Sequence, residues 1–119
     1  MKTLYLTRHQ QININEILYL QGDSNYTFIH SVNKPTTIAS KTLHLIHSSI
    51  DYESFIRISK NLILNIDYIS TYDIEDKRLS LILYNGQQFT VSRRRFKSCL
   101  DKIGVFRAIK IQKKAHSAA

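Results

Sequence analysis

Eight short segments rich in β-branched, aromatic and aliphatic residues run through this chain, each closed by a polar turn: Leu4–Leu6, Ile17–Leu20, Tyr26–His30, Thr36–Ala39, Phe55–Ile58, Ile69–Ile74, Leu79–Tyr84 and Phe89–Val91. Side chains of these types fit a pleated, half-buried surface, so the chain is expected to be mostly β. Asn85-Gly86, between Leu79–Tyr84 and Gln87–Ser92, is the strongest hairpin signal, because both central positions of a type I′ turn need positive φ. Glu75-Asp76-Lys77-Arg78 makes a second connection. Ile69–Ile74, Leu79–Tyr84 and Gln87–Ser92 are therefore predicted to form an antiparallel meander. Between the two β-rich parts, Ser40 is followed by Leu43, Ile46 and Ile50, a stripe that predicts a short helix ending near Asp51. Asn61–Ile66 reads equally well as a buried strand or as one turn of helix.

The meander delivers its last strand into a cluster of charge. Residues 1–92 carry eight Lys/Arg against eight Asp/Glu, and residues 93–119 carry nine against Asp101 alone, so the whole net charge of +8 lies in the last quarter. Ser92 reads as a helix N-cap, with Phe96, Leu100 and Ile103 recurring at helical spacing toward a stop at Gly104. Arg93, Arg94 and Arg95 then fall in the first helical turn, where the macrodipole makes each exposed cation cost roughly 0.3–1 kcal/mol at low salt. Stability does not explain them. A solvated basic face is one reading of such a run, and a patch held for a polyanion is the other.

At 119 residues the chain is expected to be one domain with one core. The lone Cys99 rules out an internal disulfide and falls on the apolar face with Phe96 and Leu100, as a buried thiol would. No apolar run reaches the roughly 20 residues of a membrane span and no signal-peptide core follows Met1-Lys2-Thr3-Leu4, so membrane insertion is not expected and a cytoplasmic protein is. His44 and His47 share a helix face, but no Cys or acidic neighbour completes a metal site. No metal and no cofactor are expected. No nucleophile, paired-carboxylate or Gly-rich phosphate motif points to an enzyme.

Ile17-Leu18-Tyr19-Leu20 with Gly22 to Tyr26, the block Phe55 to Asn65, and Asn85-Gly86 with Val91-Ser92-Arg93-Arg94 form three pieces whose order and spacing, over residues 4–103, together resemble the LytTR-type DNA-binding domain of bacterial transcription regulators. Arg57, Lys60, Asn65, Ser92 and Arg93 fit the family pattern. Ser59 stands where many members carry His, Asn61 where they carry Ser, and Leu62 where an aromatic is usual, so a different base preference is expected. The resemblance implies an elongated antiparallel multi-sheet β domain with one or two short helices over residues 1–104, followed by a basic tail, 105–119. It also implies that loops, not a recognition helix, read double-stranded DNA in successive grooves.

Carried over by position, the contact regions are Gly22–Tyr26, Ser59–Asn61 and Ser92–Arg95, which makes Asn25, Tyr26, Ser59, Lys60, Asn61, Arg93, Arg94 and Arg95 the candidate DNA-binding residues. Arg93 or Arg94 suits guanine O6 and N7, Asn25 or Asn61 suits adenine N6 and N7, and Lys60 and Arg95 suit phosphate. Each has a structural reading beside it. Asn25 is also an ordinary turn residue, Tyr26 can pack on a neighbour, Asn65 can cap the Ile66-Asp67-Tyr68 turn, and strand register decides whether Arg57 faces inward or outward. Two alternatives stand beside DNA binding. One is an RNA-binding module, which would need Tyr19, Tyr26, Tyr72 and Tyr84 as one open stacking platform; the other is a protein-interaction domain with an acidic partner. Members of this family often follow a receiver domain, but 119 residues leave no room for one, so a stand-alone regulator is expected. The resemblance implies two copies on paired repeats, with a monomer expected in isolation, and control is expected from a separate protein partner, a membrane-bound inhibitor or abundance. Lys110, Lys113 and Lys114 in the tail are expected to add phosphate attraction.

Overall fold

The computed structural model describes residues 3–50 and 53–104. Each of the eight expected segments overlaps a strand, and all strand pairs are antiparallel. The chain divides into two compact units, Met1–Asn65 and Ile66–Ala119.

The first unit begins with a hairpin of β1 (Thr3–Thr7) and β2 (Gln10–Asn13). Sequence patterning misses β2 because Ile12 is its only apolar residue; the strand exists as a partner, with Ile12 opposite the buried Leu4. A five-stranded sheet follows, in the order β5-β4-β3-β7-β6, from β3 (Ile17–Asp23), β4 (Tyr26–Ser31), β5 (Thr37–Ala39), β6 (Phe55–Ser59) and β7 (Leu62–Asn65). The ambiguous stretch after Asn61 thus resolves into strand β7 and then a 3-10 turn, Ile66–Tyr68. The predicted helix is α1 (Leu43–Ile50), whose first turn is capped where Thr42 Oγ1 accepts from the Leu45 N–H at 3.3 Å. Its stripe of Leu43, Ile46 and Ile50 joins Leu20, Ile29 and Ile63 of the sheet in one buried apolar cluster. Each of these side chains contributes roughly 1.5–3 kcal/mol when fully withdrawn from water. Two polar ties fix the frame: Thr27 Oγ1 donates to the Lys41 carbonyl at 2.8 Å, and Asn65 Nδ2 donates to the Ile17 carbonyl at 2.9 Å.

The second unit holds the expected meander, β8 (Ile69–Glu75), β9 (Arg78–Leu83) and β10 (Gln88–Thr90), in the order β10-β9-β8. Leu79, Leu81 and Leu83 alternate into the interior, whereas β8 is exposed beyond Ile69. The turn chemistry differs from expectation. At Asn85-Gly86 only Gly86 has positive φ (+89°); the Gly86 N–H donates to the Leu83 carbonyl and the Leu83 N–H to the Gln87 carbonyl, closing a three-residue loop. The type I′ requirement is met instead by Asp76-Lys77, at φ 47° and 62°, between the paired Glu75 and Arg78. After β10, Arg93–Arg95 form a 3-10 turn that runs into α2, residues 96–104. Cys99 is buried on α2, and burial pushes its thiol pKa up.

Candidate nucleic-acid interface

A two-residue turn places its side chains at the tip of a hairpin, and the sheet order decides which tips are neighbours. Ser24-Asn25 joins β3 to β4, and Lys60-Asn61 joins β6 to β7. Because β3 and β7 are antiparallel neighbours with Gln21 opposite Leu62, both tips lie at the same end of the same sheet. The Gly22 N–H donates to the Asn61 carbonyl at 2.8 Å and links one tip to the other. Gly22 is small for a packing reason: a Cβ there would stand 3.0 Å from Leu43 Cβ of α1. Asn25, Tyr26, Ser59, Lys60 and Asn61 are thus assembled on one rim, where all but the half-buried Ser59 are exposed.

The two tips are built differently. Ser24 has φ 53° and Asn25 does not share the left-handed region, the pattern of a type II′ turn, whose twist suits the flanking strands. Neither Lys60 nor Asn61 has positive φ, and β6 carries a register shift between Arg57 and Ser59. Arg57 compensates for this less favourable turn. Its Nε donates to the Ser59 carbonyl at 3.3 Å and its Nη2 to the Lys60 carbonyl at 2.6 Å, so the half-buried guanidinium clamps the tip from beneath. Register therefore turns Arg57 toward its own turn. Asn65 is scaffold too, buried and tied to Ile17 across the sheet.

The remaining candidates belong to the second unit. Arg93 and Arg94 are exposed and Arg95 is half-buried, on the 3-10 turn closed by the Arg95 N–H donating to the Ser92 carbonyl at 3.0 Å. Ser92 occupies the N-cap position without capping; its Oγ is buried and makes no hydrogen bond among the described residues. Arg93 also lines a cleft of about 590 Å³, formed by Glu75, Asp76 and Arg78 of the β8–β9 turn with Thr90, Val91 and Ser92. In the sequence the β8–β9 turn reads only as a connection, since a short charged stretch between two strands carries no motif beyond a turn.

Several other features bear on the alternatives. Tyr19 is buried and stacks on His30, with ring centroids 4.1 Å apart and planes at 16°, so an open platform of all four tyrosines does not exist. Among the described residues no group of three metal-ligating side chains gathers, and no helix is long and apolar enough to cross a membrane. The tail lysines, 110, 113 and 114, lie outside the described residues.

Comparison with known proteins places this geometry in a family. Among solved structures, the chain is similar to the LytTr DNA-binding domain of a Bacillus cereus protein described as a methyl-accepting/DNA response regulator. The TM-score is 0.66 at 22% identity, over 86% of this chain and 94% of that one. No curated protein matches. The family model for the LytTr DNA-binding domain matches residues 7–104, which take in part of both units and all eight candidate DNA-binding residues, and on that match the chain belongs to the LytTr DNA-binding domain family.

Proposed function

We propose that this chain binds double-stranded DNA sequence-specifically and regulates transcription, with turns rather than a helix as its reading elements. The observation that supports this best is where the candidates sit. Amide, hydroxyl and cationic side chains occupy hairpin tips and a 3-10 turn, clear of the strand faces that form the cores. Asn25 and Asn61 carry the paired donor and acceptor that match an adenine edge, and Arg93 and Arg94 carry the fork that matches guanine. Lys60 and Arg95 supply charge to phosphate. Two copies on paired repeats and control by a separate protein belong to the same proposal.

Selection from a random duplex library at near-physiological salt tests it directly. Enrichment of recurring short motifs, especially as spaced repeats, supports the reading. Retention without enrichment, abolished as salt rises, overturns it. Substitutions then assign roles: Arg93→Ala is expected to cost roughly 1–3 kcal/mol on the selected site and to relax one position, whereas Arg95→Ala weakens all duplexes alike. The proposal includes action without a receiver domain on the same polypeptide. An immunoblot of native cell extract tests that part, with a band at the size of 119 residues supporting it and a larger one overturning it.

A further inference from the structure

The cleft beside Arg93 has a composition that phosphate binding does not explain. Two acidic residues of the β8–β9 turn, Glu75 and Asp76, share it with Arg78 and Arg93. Glu75 and Arg78 are register partners across the hairpin, the arrangement in which a cross-strand ion pair usually forms. Yet among the described residues none of these four makes an ion pair. Ser92, on the same cleft, keeps a buried hydroxyl with no hydrogen-bond partner among the described residues, an arrangement that is costly unless something else completes it. The cleft therefore gathers donors and acceptors that no protein partner uses.

A ligand that suits such a cleft must present acceptors to the guanidinium groups and a donor to the carboxylates. Phosphate offers only acceptors and is repelled by Glu75 and Asp76. The major-groove edge of a G·C pair offers both, with guanine O6 and N7 as acceptors and the cytosine N4 amino group as donor. Resting on the DNA-binding reading above, we propose that the β8–β9 turn is an additional specificity element. In it Arg93 takes the guanine edge of one G·C pair, and Glu75 or Asp76 accepts from the N4 amino group of the paired cytosine.

N4-methylcytosine is the probe, because its methyl group blocks the major-groove N–H while the pairing N–H remains. On the site selected by wild-type protein, methylation at this cytosine is expected to weaken binding by about tenfold or more. Glu75→Ala and Asp76→Gly, made singly and together, remove the accepting oxygens and are expected to abolish that discrimination and to relax the motif at that pair. Gly is suited to the positive φ of position 76, so the turn is retained. If the variants bind every duplex more tightly with an unchanged motif, the carboxylates act only by repulsion and the proposal is overturned. Loss of discrimination at an adenine instead overturns it as well. A wild-type protein that enriches no motif fails the DNA-reading proposal itself, an outcome visible before any variant is made.

Discussion

Arg57 bears on the candidate site through the backbone it holds. Its two hydrogen bonds to the Ser59 and Lys60 carbonyls hold the tip that carries Lys60 and Asn61. Arg57→Ala is expected to lower stability by about 1–2 kcal/mol, since hydrogen bonds from a charged donor are worth more than neutral ones. It should also weaken DNA binding while leaving the slope of log K against log salt unchanged, because no phosphate contact is removed. Arg57→Lys loses the fork and should not restore the clamp; equilibrium unfolding and salt titrations of both variants check this. His30 offers a second residue-scale test. Burial lowers its pKa from 6.5, so the folded protein holds the neutral ring against Tyr19. As pH falls below 6.5 the unfolded chain takes up a proton that the folded one resists. This contribution to stability is present above 6.5 and is lost as pH falls from 6.5 toward the lower folded value. Denaturation midpoints of wild type and His30→Phe, measured from about pH 5 to pH 8, should show a shallower acid slope in the variant.

Elements show which parts of this fold are visible in sequence. Strands that bury one face announce themselves, as Leu79, Leu81 and Leu83 do in β9 and Leu43, Ile46 and Ile50 do in α1. β2 does not, because Gln10 and Gln11 owe their conformation to β1 and not to their own side chains. Turn type is harder to read than turn position. Asn85-Gly86 and Asp76-Lys77 both join strands, but register and loop length, which depend on the partner strand, decided which turn would take positive φ twice. For the same reason the resemblance names three candidate segments but not their wiring: the Gly22–Asn61 bond exists only once β3 lies beside β7, and the Arg57 clamp only once β6 turns back as β7. Gly22 carries a prediction at this scale. In Gly22→Ala the new Cβ stands 3.0 Å from Leu43 Cβ, tighter than ordinary van der Waals contact, so Leu43 must give by a few tenths of an ångström. Overpacking of this kind costs roughly 1–3 kcal/mol. The thermal transition should fall accordingly, and binding should weaken even where the protein remains folded, because the crowded residue is the one that ties the two tips together.

At the scale of the whole molecule, charge and structure divide the work of binding unevenly. The whole net charge lies in residues 93–119, whereas the rim of the first unit has Lys60 as its one cationic candidate. Affinity and its salt dependence should therefore follow the C-terminal cations, while the amides of Asn25 and Asn61 contribute to which sequence is preferred and little to how salt acts. Deleting residues 110–119 removes Lys110, Lys113 and Lys114 and leaves all eight candidate DNA-binding residues in the chain. Each lysine that meets a phosphate contributes roughly 0.9 to the slope of log K against log salt, so the deletion should flatten that slope by up to about three such increments. It should weaken binding by the same factor on selected and scrambled duplexes. Fluorescence anisotropy across a salt series, with both duplexes run in parallel, measures the two quantities together. A loss confined to the selected duplex would place base-reading contacts in the tail and contradict the division argued here, and an unchanged slope would show that these lysines meet no phosphate.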